Sequence, residues 1–292
     1  MKPVHRAIGE TVFAAGLWGY GFIATVYALR EFNAILLTSL RFLIPAFLLA
    51  LALPWAYKST PWKQYLRQAF VPGLLLGWMV AVLAVGMLFI IVTKSGFIIS
   101  LFVIIFPSFE AFYFRRRIPP RMWLLIGLGF IGMALISEAH TGTINVGDWL
   151  ILITAILAAA HIIWFDRHSR GIDKPFLFNG AQCFWAALCV LPILLLAPLP
   201  QWNIPRNFIS WWGLFFLAIF STLVAFTIQI RAQKIISATL SGILFLLEAP
   251  FAALFAGWLL GERLTVAQWT GAMLIFFAVI AATVESSRQP VR

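Results

Sequence analysis

The sequence predicts an all-α integral membrane protein with ten transmembrane helices in two inverted five-helix repeats. Three observations lead there: its apolarity, the spacing of its apolar segments and the placement of its positive charges. Of 292 residues, 62% are hydrophobic and 11% charged, and the mean hydropathy is +0.96. A soluble domain carries roughly 45–50% apolar and about 25% charged residues, so polar groups this scarce could not cover such a core in water. Lipid is the solvent that resolves the conflict. No polar stretch is long enough for a separate soluble domain, which leaves one membrane domain.

Taken in order, the apolar segments run near 8–29, 34–56, 69–92, 95–114, 121–138, 147–166, 176–198, 211–233, 238–260 and 266–284. About 20 residues at a rise of 1.5 Å cover the roughly 30 Å hydrocarbon core, so each segment crosses once. The first follows a basic start, Met1-Lys2-Pro3-Val4-His5-Arg6. It is too long for a signal-peptide core of about 7–15 residues, and with no cleavage site behind it, it reads as a retained helix. Segments three and four are parted only by Thr93-Lys94-Ser95-Gly96, and eight and nine only by the stretch from Lys234 to Ser237. Cys183 and Cys189 share segment seven and, six residues apart, face roughly opposite ways, so neither a disulfide nor a metal pair is expected.

Charge sets the orientation. With the N-terminus inside, sixteen basic residues fall on that side: Lys2, Arg6, Lys58, Lys63, Arg67, Arg115, Arg116, Arg117, Arg121, Arg167, Arg170, Lys174, Arg231, Lys234, Arg288 and Arg292. Four fall outside, Arg30, Lys94, Arg206 and Arg263, while Arg41 lies within a helix. The bias places both termini in the cytoplasm and the chain in the cell's inner membrane as a multi-pass protein. The net charge of +11 comes in short clusters between apolar runs, which suits membrane anchoring and not nucleic acid.

An internal repeat is visible as well. A shift of 146 residues lays Ser95-Gly96 on Ser241-Gly242, Phe109 on Phe255, Arg117-Ile118 on Arg263-Leu264 and Trp123 on Trp269. A shift of 141 lays Arg41 on Gln182. The halves, 1–142 and 143–292, hold five helices each, and an odd number inserts the second half upside down relative to the first. Inverted repeats are the usual architecture of secondary transporters, because exchanging the conformations of the halves exchanges inward-facing for outward-facing states.

Particular residues sharpen this. Leu247-Glu248-Ala249-Pro250-Phe251-Ala252-Ala253-Leu254, then Leu260-Gly261-Glu262-Arg263-Leu264-Thr265 and Gln268-Trp269-Thr270-Gly271, resemble the end of helix nine, the following turn and the start of helix ten in the drug/metabolite transporter superfamily, EamA type. Further matches are Trp18-Gly19, Arg41-Phe42, Thr93-Lys94-Ser95-Gly96-Phe97, Gly147-Asp148-Trp149, His161 with Asp166-Arg167, Gln182, and Ala232-Gln233-Lys234. Ala249 is inserted into the usual Glu-Pro, and the first repeat's turn, Arg115-Arg116-Arg117-Ile118-Pro119, lacks the Glu. The resemblance covers essentially the whole chain. It implies ten helices, export or import of amino acids, nucleobases or drug-like metabolites with export favoured, and a cavity lined by helices 1–4 and 6–9, with 5 and 10 peripheral.

Ionisable groups within the membrane cost about 2.5–3.5 kcal/mol each on insertion scales, so each asks for a reason. Glu248, near the bilayer middle and close to Pro250, could take up a coupling proton, bind a cationic substrate group, or hold a neighbouring helix. Arg41, about 10 Å deep by the helical rise, suits bidentate capture of a carboxylate or phosphate, an internal ion pair, or snorkelling to the interface. His161 is either a proton relay or a packing residue. Gln182 and Gln229 suit substrate or interhelical hydrogen bonds. Lys94 is a charge at the cavity mouth or a solvated loop lysine. Trp18, beside Gly19 and Gly21, could line a pocket, though the glycines equally serve helix packing. Glu10, Glu110 and Glu285 read as interfacial.

The expected partners are a small-molecule substrate, the lipid bilayer and a coupling ion such as the proton, with the chain a monomer or homodimer. No catalytic residue, metal site or cofactor is expected, because no phosphate-binding glycine loop, metal-spaced Cys/His set or Ser/His/Asp set occurs. The rival is an integral-membrane enzyme acting on a lipid-linked substrate, for which the N-terminal side offers only Asp166, His168 and Asp173 among basic residues. A channel is disfavoured by the lack of a filter sequence.

Overall fold

The computed structural model describes residues 3–56, 62–90, 92–113, 115, 117–137, 144–195, 205–261 and 263–287. Of the residues singled out above, Lys2, Lys58, Arg116, Glu262, Arg288 and Arg292 lie outside the described residues, as does the side chain of Glu110. The described chain is helical throughout, with short turns. In order the helices are α1 (Pro3–Leu29), α2 (Ala34–Ala56), α3 (Trp62–Gly86), α4 (Val92–Ser100), α5 (Phe102–Tyr113), α6 (Pro120–Ser137), α7 (Val146–His168), α8 (Pro175–Leu195), α9 (Phe208–Phe216), α10 (Ala225–Ala232), α11 (Ala238–Phe245), α12 (Glu248–Leu260) and α13 (Val266–Ser287).

These make ten spans. Nine helical stretches among the described residues are long and apolar enough to cross a bilayer, and α6 is the shorter tenth. Seven spans are single helices. Span four is α4 plus α5, span nine is α11 plus α12, and span eight is α9 and α10 joined by a π-helical stretch, Leu217–Val224. The first and third spans begin earlier than their apolar segments, at Pro3 and Trp62. A helix keeps its internal hydrogen bonds as it leaves the hydrocarbon, and Arg6, Lys63 and Arg67 occupy those overhangs.

The interruptions in spans four, eight and nine were not foreseen from apolarity. Proline accounts for one of them. Pro250 has no N–H and crowds the carbonyl four residues back, that of Leu246, and the helix breaks there. Leu246 and Leu247 instead donate to the carbonyls of Ile243 (3.2 Å) and Leu244 (3.1 Å), three residues back. Pro107 lies inside α5, and span four breaks earlier, at Leu101, which donates to the Ile98 carbonyl at 3.2 Å. Under the 146-residue shift Leu101 falls on Leu247, so the two breaks are repeat-related. Ser95 and Ser241, paired by the same shift, are both fully buried with hydroxyls that make no hydrogen bond to a described residue.

The principal packing joins one half of the chain to the other: α1 against α9, α10 and α12, α2 against α8, α3 against α7 and α8, and α6 against α13. The last pair meets backbone to backbone. A Cβ built on Gly132 would stand 2.7 Å from the Gly271 carbonyl, and one built on Gly271 would collide with the Gly132 carbonyl. Large apolar side chains on the outer faces, among them Trp258, Trp269, Met273 and Phe277, are exposed towards lipid.

Carboxylates tie the span ends. At the N-terminal face Glu10 pairs with Arg6 (2.8 Å) and with Arg231 of α10 (2.6 Å). At the opposite face Glu31 accepts the backbone N–H groups of Arg206 and Asn207, each at 2.9 Å. There too Asn145 and Asp148 form a reciprocal cap on α7, and Asp148 pairs with Lys94 at 2.6 Å, joining α4 to α7.

Gly132→Leu and Gly271→Leu should each force α6 and α13 apart and destabilise the protein by about 1–3 kcal/mol, the usual range for overpacking. Thermal unfolding in detergent checks this. A melting temperature unchanged by either substitution would show that the seam does not hold the halves together.

Candidate functional site

The interruptions converge. Span four breaks just before Phe102, span nine just before Glu248, and the π-helical stretch of span eight carries Ser221. All three residues line one cavity of about 100 Å³. Its walls come from α1 (Trp18, Gly21, Phe22, Thr25), α2 (Arg41), α3 (Met79, Val80, Leu83), α4 and α5 (Ile99, Phe102), α7 (Ala158, His161, Ile162), span eight (Ser221, Phe226, Gln229) and span nine (Phe245, Glu248). Most of the lining is aromatic or aliphatic, with a few polar groups set into it, as small-molecule sites usually are.

Five of the seven residues singled out by sequence meet here: Trp18, Arg41, His161, Gln229 and Glu248. Arg41 is buried, and its guanidinium is held by two hydroxyls of span eight. Nε donates to Thr222 Oγ1 (2.7 Å) and Nη2 to Ser221 Oγ (3.1 Å). Its Nη1 makes no hydrogen bond to a described residue. Glu248 opens α12, directly after the break at Leu246–Leu247. Its carboxylate forms neither a hydrogen bond nor an ion pair with another described residue. Span one passes close to it: a Cβ on Gly19 would stand 2.8 Å from the Glu248 carbonyl and 2.7 Å from Phe251 Cβ, so only glycine admits this approach.

Around these two charges the polar atoms are unevenly satisfied. The His161 ring packs edge-on against Phe165 and Phe226. Its Nε2 has no well-formed hydrogen bond, although the Gln182 amide lies beside it. Gln229 donates to Gln233 Oε1 at 3.2 Å, while its own Oε1 has no partner among the described residues. The Trp18 ring packs against Phe226 and Phe245, with centroids 5.1 and 5.0 Å away, and its indole N–H donates to the Ser221 carbonyl at 2.9 Å.

Gln182 and Lys94 do not reach the cavity lining. Gln182 is fully buried on α8, one layer behind, and donates to Asn179 Oδ1 at 2.7 Å. Lys94 sits at the start of α4 in the ion pair with Asp148. Span seven, which the resemblance places at the cavity, contributes no lining residue; it packs on α2 and α3 and reaches span eight through Asn179. Sequence reading passed over Asn179, Ser221 and Thr222. The signal available was an Asn and a Ser-Thr pair within apolar segments, where polar groups need partners.

A buried guanidinium deprived of its acceptors is left with unmet donors, at about 1.5–3 kcal/mol for hydrogen bonds to charged groups. Thr222→Val should therefore destabilise the protein more than the same change combined with Arg41→Met, which removes the charge too. Thermal unfolding of the three proteins checks this. An equal or larger loss in the double variant would deny that the hydroxyl holds the arginine.

Comparison with known proteins agrees with this architecture. A crystal structure with 18% sequence identity superposes with a TM-score of 0.77 over 97% of this chain and 98% of that one, which shows the fold. A protein of Archaeoglobus fulgidus described as an uncharacterized transporter is 27% identical over 286 residues, covering 96% of this chain and 86% of its own. The uncharacterized transporter YoaV of Bacillus subtilis is 24% identical over 291 residues, covering 94% and 96%. The EamA-like transporter family model matches twice, over residues 8–138 and again over 145–284. With both halves matched, the chain belongs to the EamA-like transporter family.

Proposed function

We propose that this transporter is a secondary active carrier of small organic metabolites, of amino acid, nucleobase or drug-like size, that exports them by alternating access. The two repeats, 1–142 and 143–292, are the halves that exchange conformation. Both termini are cytoplasmic, following the positive-inside bias, and the membrane is the cell's inner membrane. The observation that carries the reading is that Arg41, from the first repeat, and Glu248, from the second, face one apolar cavity at the point where spans four and nine break. Discontinuous helices meeting at a repeat interface are the common setting of transporter sites.

The chemistry of the lining favours an amphoteric solute. Arg41 Nη1 suits an anionic or acceptor group, and the Glu248 carboxylate and Gln229 Oε1 suit an amine or other donor. Trp18, Phe22, Phe226 and Phe245 offer surface to an apolar body. A cavity of about 100 Å³ favours a small solute. Export is the direction the family resemblance favours. For coupling, Glu248 is the proposed proton carrier and His161 its relay, and the assembly is a monomer or homodimer.

Counterflow into proteoliposomes, with labelled amino acids, nucleobases and simple amines offered in turn, tests this. At least one amphoteric solute should accumulate and respond to an imposed pH gradient. Arg41→Ala and Glu248→Gln should each lower its transport tenfold or more, the order expected when one partner of a buried charged contact is removed. Lys94→Ala, outside the cavity, should not. Wild-type transport in both cavity variants would overturn the site, and metal-dependent turnover of a lipid-linked substrate without any counterflow would overturn transport.

A further inference from the structure

Nothing in the local sequence asks span eight to be π-helical. The stretch Leu217-Ala218-Ile219-Phe220-Ser221-Thr222-Leu223-Val224 has neither Gly nor Pro, and α-helix precedes and follows it. Within it Ala225 N–H donates to the Phe220 carbonyl, five residues back, and not to Ser221 as an α-helix would require. π-Helical turns are rare and concentrate at functional sites. In an apolar interior, backbone carbonyls displaced from their α-helical donors need others.

Two side chains from other spans supply them. Trp18 Nε1 donates to the Ser221 carbonyl (2.9 Å). Asn179 Nδ2, on α8, is shared between the carbonyls of Thr222 (3.0 Å) and Leu223 (2.9 Å), with Thr227 Oγ1, which itself donates to the Leu223 carbonyl (2.6 Å), also at 3.0 Å. The Asn179 oxygen is occupied as well: it accepts from Gln182 Nε2 at 2.7 Å, with Cys183 Sγ at 3.8 Å. Asn179 is fully buried, and every polar atom it has is engaged. Its carbonyl partners belong to the residues whose neighbouring hydroxyls, Ser221 Oγ and Thr222 Oγ1, fix the Arg41 guanidinium.

We infer that Asn179 is a positioning residue for substrate recognition: by holding the π-helical stretch of span eight open, it places two adjacent hydroxyls where they aim Arg41 into the cavity. It lines no part of the cavity and acts wholly through span eight. The inference deepens the site proposed above, since an aimed guanidinium matters to transport only if Arg41 meets the substrate. The asparagine's effect on Arg41 can nonetheless be measured without any substrate.

The test is the rate at which phenylglyoxal modifies Arg41 in the purified full chain, read by peptide mass spectrometry against Arg30, an exposed arginine over the Tyr27 ring. In the wild type, Arg41 should react slowly relative to Arg30. Asn179→Leu, similar in size but without hydrogen-bonding groups, should raise the Arg41 to Arg30 ratio about tenfold, as expected when a charge-assisted hydrogen bond is lost. Thr222→Val should raise it by a similar factor, and the double variant no further, a non-additivity that general loosening of the fold would not produce.

Should Asn179→Leu fail to give a monodisperse protein, Trp18→Phe, which strips the other donor from the same stretch, is read in its place with the same expectation. An unchanged ratio in the folded variant, or full additivity with Thr222→Val, overturns the inference. A tenfold rise alongside failed counterflow of every solute would leave Asn179 as the residue that aims Arg41 and would overturn transport alone.

Discussion

In hydrocarbon no water is present to accept a spare backbone hydrogen bond, and this constraint governs the rest of the molecule. Each departure from α-helix within a span must be answered by a partner from the protein itself. The described chain departs from α-helix within a span in three places, at Leu101, at Leu246–Leu247 and along Leu217–Val224. Tight i→i−3 bonds answer the first two, and Trp18 and Asn179 answer the third. All three lie beside the same cavity. Irregular backbone is confined to the place where it can be satisfied, and that place is where small molecules have room.

The same reasoning explains the company Arg41 keeps. A guanidinium within the membrane needs acceptors, yet a direct ion pair with Glu248 would close the cavity with its own charges. Two neutral hydroxyls from span eight meet part of the demand and leave both charged groups facing the open space. Helix α12 begins at Glu248 itself, so the break in span nine brings this side chain to the cavity wall. The repeats thus contribute a guanidinium and a carboxyl group to one volume, with Phe102 at the position in the first repeat that corresponds to Glu248 in the second.

Much of the fold was legible in the sequence because its signals are local and repeated. Segment length gave ten spans, the distribution of Lys and Arg gave a consistent alternation, and a 146-residue shift gave the repeat. Glu248, Arg41, His161, Gln229 and Trp18 could be singled out because polar or bulky groups in apolar runs are costly or conspicuous. What escaped was tertiary. The π-helical stretch has ordinary helix-forming residues, and its conformation depends on Trp18, some 200 positions away in sequence. Asn179 resembled any polar residue near a span end. Gln182 looked equivalent to Arg41 by repeat register, yet span seven packs on spans two and three, and Gln182 donates to Asn179 without lining the cavity. Lys94 found its partner, Asp148, on a helix that starts more than fifty residues later.

The glycine contact between α6 and α13 restricts how the molecule can deform. Each backbone bars the other from gaining a side chain, so sliding one helix along its neighbour would drive Ile136 or Ile275 into a carbonyl. Pivoting about the point of contact meets no such obstacle. For the alternating access proposed above, this seam favours tilting of one half on the other over shear.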